Sequence, residues 1–301
     1  MNKLKLNLFG AQPCQVSGWT KIAQEVERER LLDLLSRTFS MTSRYATARA
    51  LTLPPIESLK IVRSRSTRSR LPAGHWHDEK HELSLSIEPD GRLPFIMPEV
   101  ISHEMGHILI ETYEVSDLNA SSQGRLADPI VDELIAQKFG LLTLTDLGLT
   151  AAERAEIVAQ GQVLSTQNRY WRELQKWAAL YQKLGGELDF LNQKESLPSQ
   201  HQAWFILTPL QTYLTQISYS IGNACALQGE VMLMPRPTYA MPPLARYISQ
   251  VWYQARQLPL VPTREEYVAF RMVTTAHFWD LARDLLPVML HQLPPPASRQ
   301  A

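Results

Sequence analysis

In the stretch "VISHEMGHILIETYEV", Val100 to Val115, two histidines four residues apart enclose a glutamate directly after the first: His103, Glu104 and His107. On a helix, residues four apart project from one face, so both imidazoles can address a single ion at about 2.0–2.1 Å. Glu104 lies roughly 100° round from His103. It is near that ion without being needed as a ligand, and can take the proton of a water that the metal has acidified. The alternative is a solvated helix face carrying two surface histidines. Val100, Ile101, Ile108, Leu109 and Ile110 weigh against it, because they make most of this segment apolar and imply burial. Burying two imidazoles and a carboxylate is costly unless they are paired or bound to metal. Gly106, between the histidines, costs a helix about 0.8–1.0 kcal/mol relative to Ala, which implies a packing reason such as close approach of a neighbouring segment.

Catalytic zinc sites usually have three protein ligands, so one more is needed. The metzincin pattern requires glycine and histidine where this chain has Ile110 and Tyr113, and is excluded. Further on, "DELIAQKFG" offers Glu133, with Asp132 as its nearest rival and Asp117 a weaker one. Together, HEMGH and DELIAQKFG resemble the motifs of the thermolysin-like zinc peptidases, the gluzincins. In that family a second-helix motif, Asn-Glu-x-x-Ser/Ala-Asp-x-x-Gly, supplies the third ligand. Asp132 stands in place of the Asn; Glu133, Ala136 and Gly140 match the ligand, the small residue and the closing glycine. Gln137 stands where the family has the Asp that orients the first histidine; its carbonyl could accept the same hydrogen bond without the charge. The resemblance spans roughly Leu83 to Gly140. It implies a zincin-like fold and a Zn2+ cofactor on His103, His107 and Glu133. It also implies Glu104 as general base, Gln137 behind His103, and a peptide or protein substrate.

The elements that must position these residues follow from periodicity and caps. "KIAQEVERERLLDLLSRTF" predicts one helix over about Thr20 to Ala48, ended by Pro54 and Pro55. "SLKIVRSRS" and "HELSLSIEP" alternate and predict strands, the second closing on "EPDG". Beyond residue 97 the pattern is helical. Pro98 fits the first turn of a helix running to about Thr112, and Asp128 with Pro129 starts a second. Thr150 with Glu153 and Thr263 with Glu266 fit capping boxes, starting helices near Ala151 and Arg264. Trp171, Leu174, Ala178, Tyr181 and Leu184 would share one core-facing side of the former, ended by Gly185 and Gly186. The expected fold is therefore α+β: a small N-terminal sheet, the HExxH helix and a larger helical C-terminal part. The expected divisions are an N-terminal helical segment (1–50), a zincin-like core (51–145), a helical subdomain (146–292) and a tail (293–301).

Composition narrows the function classes. The 301 residues are 45% hydrophobic, enough for a sizeable core, and 30 basic side chains balance 30 acidic ones, so no global charge favours nucleic acid or an anionic membrane. Lys60, Arg63, Arg65, Arg68 and Arg70 alternate with small residues, as on a solvated sheet face. Cys14 and Cys225 are the only cysteines, which excludes a disulfide framework and a cysteine-based zinc ribbon. The start lacks the apolar run of a signal peptide, so a cytoplasmic location is expected. The uncharged stretch Ser196 to Gly229 is interrupted by Gln, Thr, Ser, Asn and Pro209, as in a buried helical region rather than a membrane span.

Two matters stay open on sequence alone. His75, His77 and His81 form a second cluster, but residues four apart on an extended segment lie about 13 Å from each other, too far to share an ion without a turn. This segment is expected to lead into the strand "LSLSI", which under the resemblance would offer its edge to an extended substrate. The resemblance implies a tyrosine or histidine from outside the two motifs as oxyanion-stabilising donor; Tyr113, Tyr170, His201, Tyr213 and His277 are the candidates, each with a structural role as the alternative, and the sequence does not choose among them. The functional expectation is a zinc metallopeptidase of broad range or one that cleaves a single partner. The alternative is a non-catalytic zinc-binding scaffold or regulatory partner-binding protein.

Overall fold

The structure is a computed structural model, and it describes residues 4–9, 13–64, 74–113, 126–163, 167–192, 203–227 and 241–292. The fold is α+β, a small mixed sheet near the N-terminus followed by a larger helical part. By internal contacts the chain divides into two compact units, Met1–Glu114 with Ile135–Leu164, and Val115–Leu134 with Ser165–Ala301. The line between them falls inside one continuous helix.

In the first unit, β1 (Leu4–Leu6), β2 (Cys14–Ser17), β3 (Ser58–Arg63), β4 (Gly74–His77) and β5 (Glu82–Ile87) form a five-stranded sheet in the order β1-β2-β3-β5-β4. The inner strands β2, β3 and β5 run parallel, and β1 and β4 pair antiparallel at the two edges. Alternation does what it should: Leu59 and Ile61, and Leu83, Leu85 and Ile87, are buried while Lys60 points to solvent. Lys60 and Arg63 are exposed, Arg63 donating to the Lys21 carbonyl; Arg65, Arg68 and Arg70 lie outside the described residues. Two expectations need correction. The first fifty residues also supply two strands, and the helix α1 (Glu25–Ala48) begins five residues later than its pattern suggested. A left-handed Gly18 and a short 3-10 turn at Trp19–Lys21 occupy the space before it. The strand "LSLSI" is not an edge: β5 lies between β3 and β4, and the edge among the described residues is β4, "GHWH".

Helix α1 presents Leu31, Leu34, Leu35, Thr38, Met41 and Thr42 as one buried stripe and packs on α2 (Met97–Glu111), which also packs on β4. Pro98 sits in the first turn of α2 as expected. Helix α3 (Asp128–Thr143) follows, and α4 (Ala151–Val163) opens on the expected capping box: the Thr150 amide donates to Glu153, and the Glu153 amide returns to Thr150 Oγ1 at 3.3 Å.

In the second unit α5 (Gln167–Lys183) packs on α6 (Trp204–Leu227), α6 on α7 (Pro242–Gln257) and α7 on α8 (Arg264–Gln292), and α8 returns to α5. The helix predicted from Ala151 to Gly185 is described over Ala151–Val163 and Gln167–Lys183; residues 164–166 lie outside the described residues. Trp171, Leu174, Ala178 and Tyr181 are buried on α5 as expected, whereas Leu184 is 62% exposed. Its place explains that: it lies past the last turn, where Gly185 takes φ 73° and the Gly186 amide closes onto the Tyr181 carbonyl. Thr263 and Glu266 form the second capping box at the start of α8. Among the described residues no helix is long and apolar enough to cross a membrane. The C-terminal tail from residue 293 lies outside the described residues.

Candidate metal centre

Helix α2 is buried over most of its surface, with Glu99, His107 and Glu111 half-buried. His103 is 6% exposed and Glu104 5%. One turn apart, the two rings converge: His103 Nε2 and His107 Nε2 are 3.1 Å apart, the rings at 78° to one another. Helix α3 brings the carboxylate. Donor atoms of His103, His107 and Glu133 all lie within 4.8 Å of one another, the group of three possible ligands that the described residues provide.

The two helices are held together by what their side chains lack. A Cβ built on Gly106 would stand 2.7 Å from the Ala136 Cα, and one built on Gly140 would stand 2.9 Å from the backbone nitrogen of His103. The backbones of α2 and α3 therefore touch at both positions, which only hydrogen-for-methyl replacement permits. This is the packing reason that Gly106 called for. Gln137, 5% exposed, lies one turn beyond Glu133 on the same face of α3 and one turn before Gly140.

Glu104 is positioned by strand β4. Its Oε2 accepts the backbone N–H of Trp76 at 2.7 Å, and a Cβ on Gly74 would stand 2.8 Å from its Oε1. The Trp76 indole Nε1–H donates to Glu111 Oε2 at 2.7 Å, so one residue of β4 holds two glutamates of α2 seven positions apart. Gly74, Trp76 and Glu111 were not singled out by sequence reasoning. The available signal was the alternation in "GHWH", which puts Gly74 and Trp76 on the buried face and His75 outward.

The other candidates fall elsewhere. Asp132 accepts a hydrogen bond from Tyr267 Oη at 2.6 Å. Asp117 and His201 lie outside the described residues. His77 and His81 do have a turn between them, the 3-10 turn Asp78–Lys80, but no metal-binding group includes them among the described residues. His75 and His77 meet edge to face at 4.2 Å, and burial followed by the neighbouring His75 holds the His77 imidazole below its ordinary pKa. His81 stacks on Trp76 with ring centroids 6.1 Å apart. Of the possible oxyanion donors, Tyr113 and Tyr213 are buried, the latter against the Trp171 ring, and Tyr170 and His277 are half-buried.

Comparisons with protein-family models, curated proteins and solved structures found no match for this chain. The geometry of α2, α3 and β4 therefore carries the functional argument alone.

Proposed function

We propose that the chain is a zinc-dependent metallopeptidase with a zincin-like site, in which His103, His107 and Glu133 hold the ion and Glu104 is the general base. The observation that carries this reading is the convergence of His103, His107 and Glu133 beside a carboxylate that is not among them. The donor set fits zinc: two nitrogens bound tetrahedrally at about 2.0–2.1 Å stand roughly 3.3 Å apart, close to the 3.1 Å between the two Nε2 atoms. Two imidazoles and one carboxylate are also the ligand types of known catalytic zinc sites that retain an open position.

A zinc ion held there supplies Lewis acidity, polarising a carbonyl and lowering the pKa of water towards about 7. The chain's own residues supply the rest. Glu104 is fixed by the Trp76 N–H on one oxygen. As general base it takes a proton from the attacking water and delivers it to the leaving amine. The apolar surroundings of α2 exclude bulk water and strengthen the electrostatics of that transfer. Gln137, buried one turn beyond Glu133 on α3, is the residue we assign to orienting His103. The substrate is a peptide or protein, and the proposed setting is cytoplasmic.

Glu104→Gln tests the reading, because it keeps size and hydrogen bonding and removes the base. Zinc content and melting temperature should stay near wild type. Cleavage of a diverse peptide library, followed by mass spectrometry, should fall by at least about 10²-fold. Equal cleavage by both proteins would remove Glu104 from the chemistry. Zinc binding without cleavage in the wild type would favour a non-catalytic zinc-binding scaffold.

A further inference from the structure

The face of α3 that carries Asp128 and Asp132, next to that of Glu133, is gripped by α8. Tyr267 Oη donates to Asp132 Oδ1 at 2.6 Å, and the Arg271 guanidinium holds Asp128 through Nε and Nη2, the latter at 2.6 Å. Positions 267 and 271 are one turn apart on α8, and 128 and 132 are one turn apart on α3, so the contacts form two rungs of equal spacing. Both donors are buried, Tyr267 at 3% and Arg271 at 4% exposure. Burying a guanidinium is costly unless an anion pairs with it, and a bidentate pair fixes direction as well as distance. Burial, reinforced by the Asp132 charge, holds the Tyr267 phenol well above its ordinary pKa, so it remains an O–H donor throughout the neutral range.

One rung would fix a point on α3 and leave the helix free to turn about it. Two rungs fix both its height and its rotation. Glu133 follows Asp132 directly, about 100° further round. Its carboxylate direction is therefore set by the same contacts.

We infer that Tyr267 and Arg271 are positioning residues for the metal centre, holding the α3 turn at Asp128 and Asp132 so that Glu133 is presented to the ion before it binds. The inference rests on the ligand assignment proposed above. It gives Asp132 a role distinct from ligation: it orients its neighbour.

Chelator competition for zinc measures the effect without any need for catalysis, and urea unfolding of the metal-free protein measures the fold separately. Tyr267→Phe, which removes one oxygen, and Asp132→Leu should each weaken zinc binding about 10-fold or more, in the range typical of residues that orient ligands. The double variant should be no weaker than either single one, since both remove the same bond. Asp132→Asn keeps an acceptor oxygen for Tyr267 and should stay within about threefold of wild type by this argument. The cobalt-substituted protein adds a spectroscopic readout: its visible band should change in Tyr267→Phe and not in Asp132→Asn.

Folded Tyr267→Phe with wild-type zinc affinity and cobalt spectrum would reduce the rungs to a structural contact and overturn the inference. Equal losses in Asp132→Asn and Asp132→Leu would also overturn it, because charge and not the bond would then matter. Should Tyr267→Phe fail to fold, the Asp132→Asn and Asp132→Leu pair decides by the same criterion. Wild-type zinc binding by Glu133→Ala would instead overturn the ligand assignment. A wild type that binds zinc and cleaves nothing would overturn the peptidase reading and leave this inference standing on its binding data.

Discussion

Gly106→Ala should reverse the sign of an ordinary helix substitution. Within a helix, Gly to Ala normally stabilises by about 0.8–1.0 kcal/mol. Here the new methyl would stand 2.7 Å from Ala136 Cα, 3.1 Å from its carbonyl oxygen and 3.2 Å from its Cβ. Carbon atoms in contact prefer about 3.5–4.0 Å, so α2 and α3 must part by roughly 1 Å. None of the three atoms is the end of a flexible side chain, and the backbone has to move. Overpacking of this kind typically costs about 1–3 kcal/mol. Set against the propensity gain, the net effect is a loss of about 0–2 kcal/mol. The metal should register the change more sharply, because ligand distances tolerate only about 0.2 Å and Glu133 moves with α3. A zinc affinity roughly tenfold lower or worse is expected, since tenfold corresponds to about 1.4 kcal/mol. The assay is chelator competition beside a thermal melt of metal-free protein. A variant more stable than wild type, with unchanged zinc affinity, would refute backbone contact between the two helices at this point.

Replacing His103, His107 or Glu133 by Ala should abolish stoichiometric zinc by elemental analysis, while His77→Ala should leave it unchanged; full zinc in Glu133→Ala would show the wrong carboxylate was chosen. Gly74→Ala should lower peptide cleavage by about tenfold or more with zinc retained, because its methyl would displace the Glu104 carboxylate; kcat on any substrate found checks this. Gln137→Asp should raise zinc affinity within the roughly 10–100-fold range of ligand-orienting changes. An unchanged dissociation constant would remove Gln137 from contact with the site. Thr150→Ala should cost about 1 kcal/mol in urea unfolding through loss of the α4 cap, and leave zinc binding intact.

Local signals carried much of the fold. Pro98, the Asp128–Pro129 pair and the two capping boxes act within one turn of the chain, so the starts of α2, α3, α4 and α8 could be read directly. Strands β3 and β5, six residues each, are long enough to show alternation; β2, at four residues, is not. Strand order is not a local property, and so "LSLSI" could be recognised as a strand while its place inside the sheet could not. The site divides in the same way. His103, Glu104 and His107 are neighbours on one helix, and the glycine between the histidines announced a close neighbour. The Trp76 contact to Glu104 spans 28 positions and the Tyr267 contact to Asp132 spans 135, and no periodicity encodes either.

The contact between Trp76 and Glu104 also bears on self-association. An outer strand offers unpaired N–H and C=O groups on which another chain can build a sheet, and proteins need ways to blunt that template. Strand β1 lies at one edge of the sheet. At the other edge, the Trp76 N–H of β4 is engaged by the Glu104 carboxylate. The carboxylate proposed for proton transfer thus also occupies a backbone donor of this outer strand. Glu104→Ala would free that donor as well as remove the base, and its product should run partly as oligomers on size-exclusion chromatography, whereas Glu104→Gln retains an acceptor oxygen and should remain as dispersed as wild type.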